Sequence, residues 1–358
     1  MLKSLRIENF RCFKYFEMPK LGRINLIVGE NNSGKTSVLE AIEILANQGS
    51  VDFLKEILRR RQESEFEQKQ TDSKGRTHVV HNESQPIDLR YLLHQRISEP
   101  NCYFYIVGEG SHDSELTKVQ LSLEPPQESR ADFLGNRYHL KTPNGLFINS
   151  SHEIKTIEQS PETQDSIHIN GHLHNTQVLT STSVSLSLAK SLFGKIMFNP
   201  EEEELLEAMR IIDKRIQRIS PDTTEGSSIF YVKLSDHPHR IPLGSMGDGM
   251  WRMLSIALTL VTAKEGFVLI DEIDTGLHYT AMEEMWRFIW QVARKLDVQV
   301  FATTHNSDCW QSLAELVDEE DVGEEGITIH RIERGASRSV MFTENQIAIA
   351  AENDIEVR

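Results

Sequence analysis

Leu26-Ile27-Val28-Gly29-Glu30-Asn31-Asn32-Ser33-Gly34-Lys35-Thr36 follows the pattern Gly-x4-Gly-Lys-[Ser/Thr] of a phosphate-binding loop. Its neighbours supply the context the pattern requires. The apolar run Ile24 to Val28 reads as a buried strand entering the loop, and Ser37-Val38-Leu39-Glu40-Ala41-Ile42-Glu43-Ile44-Leu45 reads as the helix leaving it. Gly29 and Gly34 let the backbone curl until successive N–H groups converge on phosphate oxygens, and the positive end of the helix adds to that field. Lys35 can reach the β- and γ-phosphates, and the Thr36 hydroxyl can take a place on Mg²⁺. The candidate phosphate contacts are Gly29, Glu30, Asn31, Asn32, Ser33, Gly34, Lys35, Thr36 and Ser37.

Three later stretches complete such a site. Gly266-Phe267-Val268-Leu269-Ile270-Asp271-Glu272 is an apolar strand ending in two acids, which places Asp271 to hold Mg²⁺ and Glu272 to orient or deprotonate an attacking water. Val298 to Thr303 is another strand, running into Thr304-His305-Asn306. Parallel strands gather their C-terminal ends at one edge, where ligands bind, so His305 is expected to meet the γ-phosphate as a hydrogen-bond donor. Leu243-Gly244-Ser245-Met246-Gly247-Asp248-Gly249-Met250 precedes a helix whose apolar face is Met250, Leu254, Leu258 and Val261. Ser245 and Gly247 present a hydroxyl and a bare N–H at that helix's N-terminus, a second anion site. One phosphate loop already satisfies one triphosphate. The second site makes sense if it closes on the nucleotide of another subunit.

Between these blocks lies a long insertion. Residues 1–50 and 229–358 read as a split α/β domain, with 51–228 as an inserted β-lobe and helical arm. Within it, Val51 to Gln70 is helical and charged, and Arg59-Arg60-Arg61 reads as a solvated face. Thr71 to Ser84 is expected to be loop. Cys102 to Val107, Lys118 to Leu123 and Tyr138 to Lys141 suggest an antiparallel lobe, and the polar stretch Asn149 to Ser191 suggests irregular structure. His168, His172 and His174 read as part of a solvated loop rather than a metal site. Asn199 is a good N-cap for a helix over about 200–219, along which Leu205, Met209, Ile212, Ile216 and Ile219 form a narrow apolar stripe. A helix near Trp310 to Val317, two strands and a terminal helix close the chain.

Bulk properties narrow the setting. At 358 residues the chain can build two or three domain-sized units, and it has no apolar run long enough to cross a membrane. Met1 to Ile7 alternates like a strand instead of resembling a signal peptide, so a cytoplasmic protein is expected. Cys12, Cys102 and Cys309 form neither a disulfide framework nor a zinc pattern. A net charge of −16 leaves any DNA contact local or dependent on a partner.

Together these motifs resemble the ABC-type ATPase head of the RecF/SMC-like and OLD-like branch. Leu2 to Arg11 looks like that branch's first strand, and Gly29 to Thr36 matches Walker A in its Gly-Glu-Asn-Asn form. Ser245-Met246-Gly247-Asp248-Gly249 looks like a degenerate signature motif. Asp271-Glu272 matches Walker B, Asp274 to His278 resembles the D-loop, and His305 the switch histidine. The likeness covers roughly residues 1–48 and 229–310. It implies a mixed sheet with flanking helices, ATP and Mg²⁺ as ligands, Arg11 approaching the phosphates, and two heads sandwiching two ATP molecules. Met246 departs from the small residue usual in the signature, and no glutamine can be placed as the Q-loop residue. No coiled-coil arm is present. The fifty or so residues after His305 are too short for a Toprim nuclease domain, so a stand-alone ATPase with a separate nuclease or Toprim-like effector is expected.

Two functional readings follow. One is Mg²⁺-dependent ATP hydrolysis by a homodimer or higher homo-oligomer that drives or regulates an effector in phage defence or DNA repair. The other is an ATP-binding scaffold with negligible turnover that holds and releases its partner. A nuclease lacks an acidic cluster outside the ATP site, and a GTPase lacks an Asn-Lys-x-Asp element.

Overall fold

The structure, a computed structural model, describes all residues except 64–67, 72–76, 81–88, 97–102, 111–115, 124–137, 143–144, 151–152, 158–174, 223–228, 320–325, 354 and 358. His168, His172, His174 and Cys102 lie outside the described residues. In chain order the elements are β1 (Leu2–Phe10), β2 (Phe13–Met18), β3 (Ile24–Val28), α1 (Lys35–Ala46) and α2 (Val51–Arg60). Next come β4 (Gln68–Thr71), β5 (Thr77–Val80), β6 (Tyr103–Gly110), β7 (Leu116–Leu123), β8 (Tyr138–Thr142), β9 (Gly145–Ser150) and β10 (Glu153–Ile157). The chain continues through β11 (Thr176–Leu179), α3 (Leu186–Ile196), α4 (Glu201–Ile212), β12 (Ile216–Pro221), β13 (Phe230–Leu234) and β14 (Ile241–Pro242). It ends with α5 (Asp248–Thr262), β15 (Phe267–Ile270), α6 (Met282–Lys295), β16 (Gln299–Thr303), α7 (Ser307–Glu319), β17 (Ile327–Arg331), β18 (Val340–Phe342) and α8 (Glu344–Glu352).

These elements fall into two units. The first contains Met1–Ser4, Met18–Leu39 and His174–Arg358. Its main sheet has the order β11-β15-β16-β3-β17-β18, parallel throughout except for the antiparallel β17–β18 pair. Period-two alternation decides what each face holds. Ile24, Leu26, Val28, Val268, Ile270, Val300, Ala302, Ile327 and Ile329 join one buried cluster with Trp286 and Trp290 of α6 and Met253 and Leu254 of α5. Several of the alternate positions carry buried polar groups, and these are hydrogen-bonded, as burial demands. Asn25 Nδ2 donates to the Gly22 (2.8 Å) and Val300 (3.2 Å) carbonyls, and Thr328 Oγ1 donates to Asn25 Oδ1 at 2.9 Å. His330 lies 3.1 Å from both Thr328 Oγ1 and Ser339 Oγ, and burial pushes its imidazole down to about 3. Gln299 Nε2 donates to the Leu2 and Gly22 carbonyls at 2.8 and 2.7 Å.

The second unit contains Leu5–Glu17 and Glu40–Leu173. Its sheet has the order β10-β9-β8-β7-β6-β1-β2, antiparallel from β10 to β6. Phe10 and Phe104 meet edge-to-face with centroids 5.3 Å apart. The carboxylates of α1 are held by cations here. Arg11 Nε donates to Glu40 at 2.9 Å, Arg61 Nε to the same carboxylate at 2.6 Å, and Arg60 pairs with Glu43. Desolvation raises the Glu43 carboxyl even against the pull of Arg60.

Several expectations need correction. The α/β layer resumes at β11, which pairs in parallel with β15, and not near residue 229; residues from His174 onward belong to the first unit. The helix expected to reach residue 219 stops at Ile212, where Asp213 is extended. Ile216 and Ile219 belong to β12, and both are buried because a register shift between Ile216 and Arg218 turns two successive residues outward. That bulge imitates helical spacing. The Asn199 side chain donates to the Lys195 carbonyl and does not cap α4. Helix α3 arises where irregular structure was expected, with Ala189, Leu192, Phe193 and Ile196 buried at helical spacing. Thr77–Val80 pairs with Gln68–Thr71 where loop was expected. Of the three arginines read as a solvated face, Arg59 is exposed as expected, whereas Arg60 and Arg61 reach the buried carboxylates of Glu43 and Glu40. Among the described residues no helix is long and apolar enough to cross a membrane.

Candidate active site

The site is assembled where β3, β15 and β16 end side by side in the first unit. In the loop after β3, Gly29 has φ +145°, Asn32 +62° and Gly34 +110°. A Cβ on Gly29 would stand 2.4 Å from the Ile332 carbonyl oxygen and 3.0 Å from Ser33 Oγ, so only glycine fits. Glu30, Asn31 and Asn32 are exposed, while Ser33, Lys35 and Ser37 are buried. Lys35 Nζ donates to the carbonyls of Gly29 (2.7 Å) and Glu30 (2.8 Å). Ser33 Oγ is buried without a hydrogen-bond partner among the described residues.

Asp271 follows β15, and hydroxyls reach it from the first turn of α1 and from the end of the neighbouring β16. Thr36 Oγ1 donates to Asp271 Oδ2 at 3.0 Å, and Thr303 Oγ1 donates to Oδ1 at 2.6 Å. Thr303 Oγ1 also accepts from the Glu272 N–H at 2.9 Å. Glu272 has φ +49°, a left-handed conformation that a non-glycine residue adopts at a cost of about 1–3 kcal/mol. Its carboxylate stands 4.0 Å from His305 Nδ1, with both side chains about half exposed (40% and 50%). Thr304 Oγ1 donates to Asp274 Oδ1 at 2.7 Å and ties the D-loop turn to the end of β16.

Sequence reasoning missed two contributors. Thr303 was read only as part of a strand. Arg252, on α5, is only 1% exposed, and its guanidinium donates to the carbonyls of Thr180 (2.8 Å), Asp271 (2.8 Å) and Glu272 (2.7 Å). Desolvation pulls it down to about 10, opposed by Asp274, Asp271 and Glu272. A lone arginine inside the apolar run Met250 to Val261 was the available signal.

The remaining candidates take no part in these hydrogen bonds. Ser245 sits in a 3₁₀ turn over Leu243–Met246, and Gly247, with φ +93°, begins α5; both are exposed. Arg11 belongs to the second unit, where it donates to Glu40, Glu63 and the Tyr91 carbonyl.

The residues present fit a Mg²⁺-nucleotide. The orphan Ser33 hydroxyl and the Cβ-free cradle at Gly29 suit a phosphate, and the Thr36 hydroxyl beside the Asp271 carboxylate is the hard-oxygen donor set that Mg²⁺ prefers.

A phosphate loop, an acid pair and a histidine gathered at the strand ends of this sheet fit what the comparisons show, an ABC-type ATPase of the RecF/SMC-like and OLD-like branch. More narrowly, residues 24–308 match the family described as "AAA domain, putative AbiEii toxin, Type IV TA system", and the chain belongs to it. A Helicobacter pylori protein named ATP/GTP phosphatase is 24% identical over 341 residues, covering 90% of each chain. Local matches of 45 residues link 13% of this chain to 8% of an OLD nuclease from Thermus scotoductus (47% identical) and to 12% of RecF from Clostridioides difficile (44%). An SMC head solved bound to the C-winged helix domain of ScpA shares the fold, with TM-score 0.51 and 13% identity over 96% of this chain and 98% of that one.

Proposed function

We propose that this ATPase is Mg²⁺-dependent, closes two heads around ATP, and uses that assembly to regulate or drive an effector protein in phage defence or DNA repair. The observation that carries the catalytic part is the convergence on Asp271 of hydroxyls from the phosphate loop and β16, with Glu272 locked beside it. Thr36 and Asp271 would hold the ion, which when bound neutralises charge on the β- and γ-phosphoryl oxygens. Lys35 and the loop N–H groups bind the triphosphate. Glu272 orients the attacking water and takes its proton, and His305 donates to the γ-phosphoryl oxygens. Ser245 and Gly247, exposed on the same chain, supply a second copy's γ-phosphate contacts. The local likeness to an OLD nuclease and to RecF supports a nucleic-acid-related role, and the SMC head solved with ScpA illustrates a head carrying a partner.

Glu272→Gln keeps the side chain's size and removes its basicity. Turnover is expected to fall at least 100-fold, with ATP binding retained and ATP-bound assemblies accumulating. Phosphate release and light scattering with and without ATP test both halves. Wild-type turnover in this variant would sink the catalytic assignment.

A further inference from the structure

The first unit carries a small second sheet, β12-β13-β14, whose outer face is basic in a chain of net charge −16. Along β13, Phe230, Val232 and Leu234 are buried, which turns Tyr231 and Lys233 to the outer face. Arg218 of β12 stands directly opposite Lys233. Just before β14, on the other side of β13, the Arg240 guanidinium lies over the Tyr231 ring at 4.1 Å. Like charges facing each other across strands destabilise a sheet, so this face is held against its own repulsion.

Two nearby acids are engaged elsewhere. Asp213 and Asp236 both pair with Arg215, at 2.7 and 2.9 Å. Lys233 Nζ donates to the carbonyls of His237 (2.6 Å) and Pro238 (3.0 Å), which fixes the β13–β14 turn but leaves the charge uncancelled. Arg218 and Arg240 are exposed and form no ion pair among the described residues. A guanidinium stacked on an aromatic ring keeps its N–H edges free for the bidentate recognition that phosphate allows.

We propose that Arg218, Lys233 and Arg240 form a nucleic-acid contact surface that grips the phosphodiester backbone without reading bases. Tyr231 is covered by Arg240 and so does not stack on a base, which leaves backbone contact as the mode. The strand leaving this surface, Ile241–Pro242, leads within three residues to Ser245 of the signature turn. The surface is independent of ATP turnover, so its test needs no hydrolysis.

Fluorescence anisotropy of the full chain with short labelled DNA, duplex and single-stranded, measures it without ATP. Three phosphate contacts give a duplex affinity that falls about 40-fold between 50 and 200 mM salt. Arg218→Gln/Arg240→Gln should weaken binding and shrink that fall to about 3- to 4-fold. The same double variant should melt no lower than wild type, because Arg218→Gln removes the facing charge. Arg218→Lys/Arg240→Lys should keep most of the binding. The proposal is overturned if the wild type binds neither DNA at 50 mM salt, if the Gln variant binds like wild type, or if polyglutamate displaces DNA as well as unlabelled duplex does, which would make an acidic polypeptide the ligand.

Discussion

Two glycine turns in the first unit look alike in sequence and differ in how they are finished. The phosphate loop is closed by its own chain: the Ile332 carbonyl fills the space where Gly29 would carry a Cβ, and Ser33 and Lys35 are buried within it. The turn at Ser245–Gly247 is open. A Cβ on Gly247 would meet nothing within 4 Å among the described residues, and both residues are exposed. One glycine is required by its neighbours. The other is required only by its own φ of +93°. A turn that holds a positive φ with nothing against it fits a surface completed by a second molecule, which is the role proposed for it.

The sharpest way to break the contrast is Gly29→Ala. The new methyl would meet a backbone carbonyl at 2.4 Å in a region of φ that side chains avoid. We expect a loss of about 2–6 kcal/mol of stability and no measurable ATP binding. Denaturant melts and a fluorescent ATP analogue would show it. An intact variant that binds the analogue normally would mean that the loop is not closed as described.

Arg252→Met comes next. It leaves the carbonyls of Thr180, Asp271 and Glu272 without their charged donor, a loss of roughly 2–4 kcal/mol. Misplacing Glu272 should cost turnover on the order of 100-fold, with a smaller change in ATP affinity. Arg252→Lys should rescue little, since one ammonium does not reproduce the fork. If Arg252→Met turned over ATP at the normal rate, the clamp would be structural only.

A pH-dependent effect, modest per pH unit, bears on the closed loop alone. His330 lies on β17, the strand that leads into Ile332 and so into the closure of Gly29. Burial holds its imidazole neutral down to about 3, whereas the unfolded chain protonates near 6.5. The unfolded state therefore binds the extra proton in that window. The contribution is intact above 6.5 and is lost as pH falls toward 3, at about 1.4 kcal/mol per pH unit. Unfolding curves of His330→Gln should show a flatter acid limb than wild type, and an unchanged limb would place the acid sensitivity elsewhere.

The P-loop, Asp271-Glu272 and His305 were legible because each follows a short, mostly apolar strand, and parallel strands deliver such ends to one edge. Thr303 and Arg252 were not, since both act through backbone atoms or a neighbouring carboxylate that only the folded chain brings close. Ile216 and Ile219 misled because a bulge gave a strand the spacing of a helix. Helix α3 was hidden by its serines, although Ala189, Leu192, Phe193 and Ile196 carried the stripe. The fold was readable wherever one periodicity ran unbroken, and unreadable where polar composition or a register shift masked it.

The smallest expected effect on the isolated chain is the most informative about the open turn. Ser245→Ala removes one exposed hydroxyl, and a surface change of that kind moves stability by no more than about 0.5 kcal/mol. Binding of the ATP analogue to the phosphate loop should also be unchanged, because that loop is completed by its own chain. Turnover is different. If two heads close on ATP, specific activity of the wild type rises with protein concentration, and Ser245→Ala should flatten that rise while leaving the dilute rate alone. A closed loop loses function when its own contacts are broken, whereas an open turn loses it only in company. Were Ser245→Ala to match wild type at every protein concentration, the turn would be a helix start and nothing more, and the composite site would have to be built from other residues.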